Sequence, residues 1–344
     1  CRQRSCFACV LTEVNPERLE QVLLLWQAQV LGPVQDRLVI FDGKEIRHAD
    51  VESVSAVSGT GRWLGSTLVK AGSNEIPAAR EQLAKLNVVD KIVLADAAHT
   101  QVKTVRQILY DQGGDYLLTV KENQKGLFKT LATLFTQQRF SPSATPRTHA
   151  LSRENNQGRH EIRVLECQDV TPQRVGFPGV QTIARLRRRV RRKGKKTTEI
   201  VYLISSLTLE KLDAAGFLKL KRGYWVIESR LHHALDVTLG EDHSRVRNPR
   251  AAFALSLFRR VVVSFAQVWI DACRKIKPCC RVTTRKFQKR FLYRNGGPER
   301  LRALIFPISG VLALTYLNRC SLIVLWPTAL GDDSSFAKCS TLGY

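Results

Sequence analysis

Short runs of consecutive apolar residues recur along the first third of the chain. One run covers residues 38–41 and is followed by Asp42, and a second covers residues 92–95 and is followed by Asp96. Apolar runs of this length, bounded by polar residues, are typical of buried strands. The pattern therefore predicts two strands that each end in an aspartate.

Other stretches show helical or alternating periodicity. Apolar residues at spacings of three and four predict helices at residues 16–30, 73–86, 100–112, 125–135, 209–218, 222–237 and 249–270. Further strands are predicted at residues 51–57, 65–69 and 115–121. The first three strands are close together in sequence, which favours an antiparallel meander. The order of elements predicts an α/β fold in which helices flank a mixed sheet.

Between residues 154 and 207 the helical period gives way to alternation. Strands are predicted near residues 160–167, 180–190 and 197–205, with a hairpin turn at Gly194. These strands form a β-rich insertion between the strand at 115–121 and the helix at 222–237.

The helix at 222–237 carries a polar residue beside an apolar stripe. The stripe consists of Tyr224, Ile227, Leu231 and Leu235. Glu228 lies at its edge, so its carboxylate should face whatever the helix covers. Burying a carboxylate is costly unless a cation compensates the charge.

Three acids could share such a cation. Ligand sites form at the carboxyl ends of parallel strands, where Asp42 and Asp96 are predicted, and Glu228 would approach from the covering helix. Three carboxylates in one cleft repel one another unless divalent cations bind. Hard oxygen donors select Mg²⁺ or Mn²⁺, and two such ions about 3.5–4 Å apart can promote phosphodiester cleavage. The sequence therefore predicts a nuclease-type site with two ions.

Each acid also has an ordinary structural role open to it. An aspartate at a strand end often serves as a turn or cap residue. Glu228 could pair with Arg222 or Arg230 on the helix surface. Asp236 and Asp242 are rival acids nearby.

Charge narrows the choice of partner. The chain has 344 residues, with 54 Lys and Arg against 30 Asp and Glu, giving +24 and a pI of about 10.1. This excess favours a polyanionic partner, and nucleic acid fits better than a membrane surface because the basic residues do not lie on one amphipathic helix. Residues 185–196 are the densest run, with nine basic residues of twelve. Phosphate neutralisation explains this run better than a solvated charge cluster.

Several side chains are candidates for contact with DNA. In the basic run they are Arg187, Arg188, Arg189, Arg191, Arg192, Lys193, Lys195 and Lys196. Elsewhere they are Lys44, Lys121, Asn123, Gln124, Arg222, Arg230 and His232. The segment 121–125 follows a strand and could position phosphates, or could simply be a polar helix start. His232 is interpreted as structural or DNA-contacting, because three acidic oxygen donors point to a hard ion.

Several segments together resemble one known family. They are Phe41-Asp-Gly-Lys44, Ser73-Asn-Glu-Ile-Pro77, Ala95-Asp-Ala-Ala-His-Thr-Gln101, residues 114–124, Gly158-Arg-His-Glu-Ile-Arg163, residues 202–207, residues 222–237 and Gly240-Glu-Asp-His-Ser-Arg245. In order and spacing, across roughly residues 10 to 305, the chain is similar to the H-repeat-associated (ISAs-type) DDE transposases of bacterial insertion sequences.

The resemblance implies a ribonuclease-H-like core interrupted by a β-rich insertion, with metal-dependent DNA cleavage and strand transfer. It maps the catalytic, metal-holding acids onto Asp42, Asp96 and Glu228, with Mg²⁺ or Mn²⁺ as cofactor. The implied partners are double-stranded DNA, as terminal inverted repeats and target, and further copies of the chain in a synaptic complex, without a membrane. The implied location is the bacterial cytoplasm, at the nucleoid. Position 235 is Leu and Arg222 lies at a different spacing from the Tyr–Arg–Glu–Lys signature of related families, so those Arg and Lys roles are not transferred.

The resemblance also suggests boundaries. Residues 1–35 would be the remnant of an amino-terminal region, 36–140 and 208–272 the two parts of the catalytic core, 141–207 the insertion, and 273–344 a basic region and apolar tail. The chain begins at Cys1 and has no Met, so we expect an amino-terminally truncated copy. The apolar stretch 305–330 is interrupted by polar residues, which favours a packed helix or a tail outside the family over a membrane span.

Two other functions fit the same residues. A non-catalytic DNA-binding relic would bind duplex DNA in a salt-sensitive manner without cutting it. A ribonuclease-H-like, structure-specific nuclease would choose its cleavage sites by DNA structure rather than by terminal-repeat sequence.

Overall fold

Nine strands form one mixed sheet in the computed structural model, which describes residues 10–137, 146–156, 158–276, 315–318 and 321–324. The strands are β1 (Leu38–Ile46), β2 (Val51–Ser58), β3 (Trp63–Leu68), β4 (Ile92–Ala95), β5 (Asp115–Val120), β6 (Thr148–Asn156), β7 (Arg159–Asp169), β8 (Thr182–Arg192) and β9 (Lys195–Ser205). Their order across the sheet is β3-β2-β1-β4-β5-β9-β8-β7-β6. The predicted α/β class with a large mixed sheet is confirmed.

The sheet combines an antiparallel meander with a parallel centre. β1 pairs antiparallel with β2, and β2 pairs antiparallel with β3, as predicted. β1, β4 and β5 are parallel. The insertion strands β6 to β9 are antiparallel to one another, and β9 pairs with β5, so the insertion extends the central sheet. The sequence did not indicate this continuity.

Helices flank the sheet. They are α1 (Pro16–Leu31), α2 (Glu75–Ala84), α3 (Val102–Arg106), α4 (Lys125–Gln137), α5 (Pro172–Val175), α6 (Ala214–Gly223) and α7 (Pro249–Ile276). α3 continues into a π-helical turn at Gln107–Asp111. α6 continues through π-helical turns at Ile227–His232 and Ala234–Thr238. The two helices predicted at 209–218 and 222–237 therefore form one helical stretch, residues 214–238, here called the glutamate helix; the predicted break is wrong.

Strand alternation divides the core between the two faces of the sheet. Val39 and Phe41 pack on one face, with apolar side chains of α2, α3 and α4. Ile40 packs on the other face, where the glutamate helix contributes Ile227 and Leu231. The face that receives Ile40 is therefore the one that the glutamate helix covers.

Helix α7 is a core element. Its segment Pro249–Ala272 is long and apolar enough to cross a membrane by length and composition, but 67% of its most apolar window is buried inside the protein. It packs against α1 and β3. Its burial and its fully buried Arg260 identify it as a packed helix of the core.

The chain divides into two units, residues 1–285 and 286–344. The described part of the second unit is an antiparallel pair, β10 (Thr315–Asn318) and β11 (Ser321–Val324). The prediction of a packed helix over 305–330 is wrong for these residues, which form strands. The rest of that stretch lies outside the described residues, as do residues 1–9 of the expected amino-terminal remnant and 277–314 of the basic region.

Candidate functional site

Strand register brings Asp42 and Asp96 to the same face of the sheet. Ile40 of β1 pairs with Leu94 of β4 in the parallel ladder, and each aspartate lies two residues further along. Side chains two residues apart on a strand share a face, so both aspartates continue the side that the glutamate helix covers. Asp96 follows β4 directly, as predicted.

The prediction that Asp42 ends its strand is wrong. β1 continues to Ile46 because β2 pairs with it as far as Val51. The parallel pairing with β4 stops at Ile40, however. Asp42 therefore lies just beyond the end of the parallel ladder, within a strand that is paired on its other edge.

The glutamate helix places Glu228 above this end of the sheet. Ile227, Leu231 and Leu235 are fully buried, which anchors the predicted stripe. The side chain of Glu228 is 48% exposed. Asp42, Asp96 and Glu228 all line one cleft of ≈ 990 Å³ between this helix and the sheet.

A close group of potential ligands forms around Asp42. The Tyr224 hydroxyl donates to Asp42 Oδ1 at 2.9 Å. Nδ1 of His232 lies 3.5 Å from Asp42 Oδ2 and 3.7 Å from Glu228 Oε2. The ligand atoms of Asp42, Glu228 and His232 all lie within 4.8 Å of one another. Asp96 lines the same cleft outside this close group.

Lysines surround Asp96. Lys121 Nζ lies 3.3 Å from Asp96 Oδ1. Lys221 donates to the Thr119 hydroxyl at 2.7 Å, and burial lowers its pKa to about 8. Both lysines line the cleft, so its floor is mixed in charge rather than purely acidic.

Glu75 is an acidic neighbour that the sequence did not single out. It is the first residue of α2, where Asn74 caps the helix. Its carboxylate lies against Gly43, where a Cβ would overlap it, so a larger residue after Asp42 would displace the Glu75 side chain from this position. Burial raises the pKa of Glu75 to about 7, and the nearby charges of Glu52 and Asp96 add to the rise.

The carboxyl groups of the cleft differ in acidity. Burial raises the pKa of Asp42 to about 7, and the charge of Glu228 adds to this, while the hydrogen bond from Tyr224 opposes it. The imidazole of His232 holds the pKa of Glu228 below its usual range. Burial alone would raise the pKa of Asp96, but the Ala97 backbone N–H and the Lys121 ammonium outweigh it and hold that pKa low.

The raised pKa of Asp42 gives a testable pH dependence. The folded protein retains a proton on Asp42 up to about pH 7, whereas the unfolded chain loses it at about pH 4. Because the folded state binds more protons in that window, this group contributes stability at low pH that is lost as pH rises towards 7. We expect the free energy of unfolding of Asp42→Asn, relative to the parent and without metal, to increase as the pH rises from about 4 to about 7. Urea unfolding at several pH values with a chelator measures this; parallel pH profiles would contradict it.

Several predicted DNA contacts already have partners within the protein. Lys44 is 8% exposed at its side chain and donates to Asp236 at 2.6 Å. Arg230 donates to the Thr60 carbonyl at 2.6 Å and to Asp271 at 2.7 Å. These side chains hold the glutamate helix to neighbouring elements, and their contact with DNA stays a prediction.

The segment after β5 supports the Asp96 loop. The Asn123 side chain donates to the Ala97 carbonyl at 2.9 Å, and the Gln124 side chain donates to the Thr100 carbonyl at 2.9 Å. Both carbonyls belong to the turn that follows Asp96. The predicted DNA-facing segment therefore has a structural role in the site.

The basic run divides between two environments. Arg188 pairs with Glu161 and Glu199 on the cleft side of the insertion, and Arg222 of the glutamate helix pairs with Glu154.

Residues 191–196 at the tip of the β8–β9 hairpin are exposed, and the described residues provide no acidic partner for them. Lys193 and Gly194 both have positive φ, 47° and 77°, as a tight two-residue turn requires. The exposed charge of the run is thus concentrated at this tip.

The donor set fits a divalent cation. Carboxylate oxygens suit Mg²⁺ and Mn²⁺, and an imidazole nitrogen is also accepted by Mn²⁺. Burial and, to a lesser extent, the charge of Glu228 raise the pKa of Asp42, and a bound cation would offset both effects by favouring the charged carboxylate. His232 has its other nitrogen, Nε2, buried without a hydrogen-bond partner in the described parts of the chain. The close group can therefore hold an ion, with Asp96 on the same cleft wall.

The fold and the cleft define an α/β protein with a carboxylate-rich candidate metal centre and an exposed basic hairpin. No family model matches the chain. It is 30% identical over 276 residues to "Putative protein YbfL" of Escherichia coli K12, covering 75% of this chain and 71% of that protein. It is 29% identical over 286 residues to "Putative transposase YncI" of Escherichia coli O157:H7, covering 78% and 71%. It is 29% identical over 276 residues to "H repeat-associated putative transposase YhhI" of Escherichia coli K12, covering 75% and 71%.

These relatives agree with the resemblance drawn from the motifs. The chain belongs to the family of H repeat-associated transposases.

Proposed function

We propose that this protein is a DDE transposase that cleaves DNA at the ends of an insertion sequence and transfers the freed strand to target DNA. One observation carries the proposal: Asp42, Asp96 and Glu228, which come from β1, β4 and the glutamate helix, line a single cleft. The names of the relatives support the transposase class. Cleavage and strand transfer by these three residues are our own inference.

The fold we propose for the catalytic core is ribonuclease-H-like. Its support is the meander β1–β3 followed by β4 and β5 parallel to β1, with helices on both faces. The insertion β6–β9 precedes the glutamate helix in the chain and contributes the wall of the cleft that carries Arg188 and Glu161.

The three acids would hold Mg²⁺ or Mn²⁺, as two ions. Such ions, when bound, polarise the phosphodiester, activate the attacking hydroxyl and stabilise the leaving oxygen. Tyr224 fixes the orientation of Asp42 through its hydrogen bond to Oδ1, which leaves Oδ2 turned towards Glu228 and His232. Lys121 pairs with Asp96 in this structure. When a metal ion neutralises Asp96, Lys121 would be free to contact a phosphate of the DNA.

Double-stranded DNA is the partner we propose. The exposed tip of the β8–β9 hairpin, residues 191–196, would contact the phosphate backbone, because its charges have no acidic partner in the described residues. The cleft-facing arginines are already neutralised by glutamates and would add less to the affinity. A homo-oligomeric synaptic complex and a cytoplasmic, nucleoid-associated location complete the proposal.

A cleavage assay tests the function. The purified protein is incubated with duplex DNA taken from the flanks of its own gene, and with a shuffled duplex, in Mg²⁺, in Mn²⁺ and in chelator. We expect metal-dependent cuts at defined positions in the flanking DNA, and we expect Asp42→Asn and Glu228→Gln to bind the same duplex without cutting it.

The other outcomes separate the competing functions. Salt-sensitive binding without cleavage in either metal would overturn the enzymatic proposal in favour of a DNA-binding relic. Cleavage that follows DNA branches or gaps regardless of sequence would favour a structure-specific nuclease. Variants that cut as well as the parent would remove the acids from the mechanism.

A further inference from the structure

We infer that His232 is a nitrogen ligand of the metal centre formed with Asp42 and Glu228, so that this centre is of mixed oxygen and nitrogen type. The inference rests on the proposed function for the presence of a metal. It goes beyond that function, because three acidic donors would require no histidine and would favour Mg²⁺.

The separations around His232 are close to those between two ligands of one ion. An N–H···O hydrogen bond spans about 2.7–3.2 Å between heavy atoms. Nδ1 lies 3.5 Å from Asp42 Oδ2 and 3.7 Å from Glu228 Oε2, and both distances are longer than that range. Two atoms each about 2.0–2.2 Å from one ion, at angles of about 90–110°, are about 2.8–3.6 Å apart. A small closure would thus bring all three groups onto a common ion.

The imidazole is fixed in place and aimed into the site. Its side chain is 8% exposed. Its helix is anchored on either side by the fully buried Leu231 and Leu235. Nδ1 faces the two carboxylates, whereas Nε2 is buried and has no hydrogen-bond partner among the residues that the structure describes. Only Nδ1 can therefore coordinate, and the ring would do so as the neutral tautomer with its proton on Nε2.

The carboxylates leave a place for this nitrogen. Asp42 Oδ1 accepts from Tyr224, so Oδ2 is the oxygen directed at the centre. Glu228 keeps about half of its side chain exposed, which leaves an open side for water or DNA. A nitrogen donor raises affinity for transition-metal ions relative to Mg²⁺. The centre should accordingly prefer Mn²⁺ to Mg²⁺.

Spectroscopy of bound Mn²⁺ tests this without reference to activity. The full chain is loaded with one equivalent of Mn²⁺. The coupling between the Mn²⁺ electron spin and ligand ¹⁴N nuclei is measured by electron spin-echo envelope modulation. We expect ¹⁴N coupling in the parent and in the control His233→Ala, which changes the adjacent, exposed histidine. We expect it to be absent in His232→Gln, which retains side-chain volume. His232→Gln should also bind Mn²⁺ at least about 10-fold more weakly, because loss of a residue that only orients a ligand already costs about 10–100-fold, and it should lose most of its preference for Mn²⁺ over Mg²⁺.

The outcomes are decisive in either direction. A parent protein that binds Mn²⁺ without ¹⁴N coupling would show that His232 only compensates the carboxylates as a charge, and the inference would be wrong. Coupling that survives in His232→Gln would assign the nitrogen to another residue, with the same consequence. If the protein cleaves DNA but bound Mn²⁺ shows no ¹⁴N coupling, the proposed function stands and the inference about His232 is wrong. If bound Mn²⁺ shows ¹⁴N coupling but the protein does not cleave DNA, the inference about His232 stands and the proposed function is wrong.

Discussion

Replacing Asp96 with asparagine is expected to lower the metal-dependent cleavage rate by about 10²–10³-fold, which corresponds to about 3–4 kcal/mol of transition-state stabilisation. The amide side chain would keep the size of the aspartate but lose the charge that we propose holds a cation. The cap position after β4 tolerates asparagine, so the fold should be retained. Single-turnover cleavage of the flanking duplex measures the effect.

The same change should leave DNA binding intact or strengthen it slightly. It removes a negative charge from the cleft and frees Lys121, which lies 3.3 Å from Asp96 in the parent. The matched control is Asp90→Asn, at the other end of the β4 segment. Asp90 is exposed and has a φ of 56°, a conformation that asparagine accepts readily. A loss of cleavage in both variants, or an equal loss of DNA affinity in Asp96→Asn, would contradict the assigned role.

The local pattern of apolar residues is sufficient to predict the strands that carry the aspartates and the buried side of the glutamate helix. The apolar runs before Asp42 and Asp96 predict strands, and the register of Ile40 with Leu94 then places both aspartates on one face. The stripe through Ile227 and Leu231 predicts which side of the glutamate helix is buried. The alternation of a strand and the turn of a helix are local properties, and the sequence carries them without reference to the rest of the fold.

Contacts between distant segments could not be read in this way. The Tyr224 hydroxyl meets Asp42 across 182 positions of sequence, and a tyrosine in an apolar stripe gives no sign of its hydrogen-bond partner. The extension of β1 past Asp42 depends on pairing with β2. The sequence favours a structural or DNA-contacting role for His232, because three acids suffice for a hard ion, and only the fold shows its Nδ1 facing two carboxylates.

The π-helical character of the glutamate helix also has no sequence signature here. Turns closed by bonds from residue i to i+5 are rare and concentrate at functional sites. One such turn, Ile227–His232, carries both Glu228 and His232. The i, i+4 spacing of Glu228 and His232 already predicts that they lie on the same side of a helix, and the wider turn keeps them there, with His232 Nδ1 3.7 Å from Glu228 Oε2.

The hydrogen-bond partners of Arg260 in the core are also not predictable from its local sequence. Replacing Arg260 should lower the stability of the protein more than any other change proposed above. It lies in the apolar helix α7 and is fully buried, as is Glu241, which follows the glutamate helix. Its guanidinium donates to Ser55 at 3.1 Å and Ser53 at 3.2 Å on β2, and to Ser256, whose hydroxyl donates to Glu241 at 2.7 Å. The network therefore joins α7, the sheet and the segment after the glutamate helix.

We expect Arg260→Met to lower the free energy of unfolding by about 3–5 kcal/mol, because Glu241 would keep a buried charge with weaker compensation. Lys44 and Arg259, at 4.0 and 3.9 Å from Glu241, lie as close to it as Arg260 does at 4.0 Å, but of the three only Arg260 also donates to the Ser256 hydroxyl that donates to Glu241. Adding Glu241→Gln should recover some of the loss, since the double variant no longer buries a lone charge. Urea unfolding measures both, with Arg250→Met on the exposed start of α7 as the control. A loss below about 1 kcal/mol for Arg260→Met, or a double variant less stable than the single one, would show that Arg260 and Glu241 do not compensate each other.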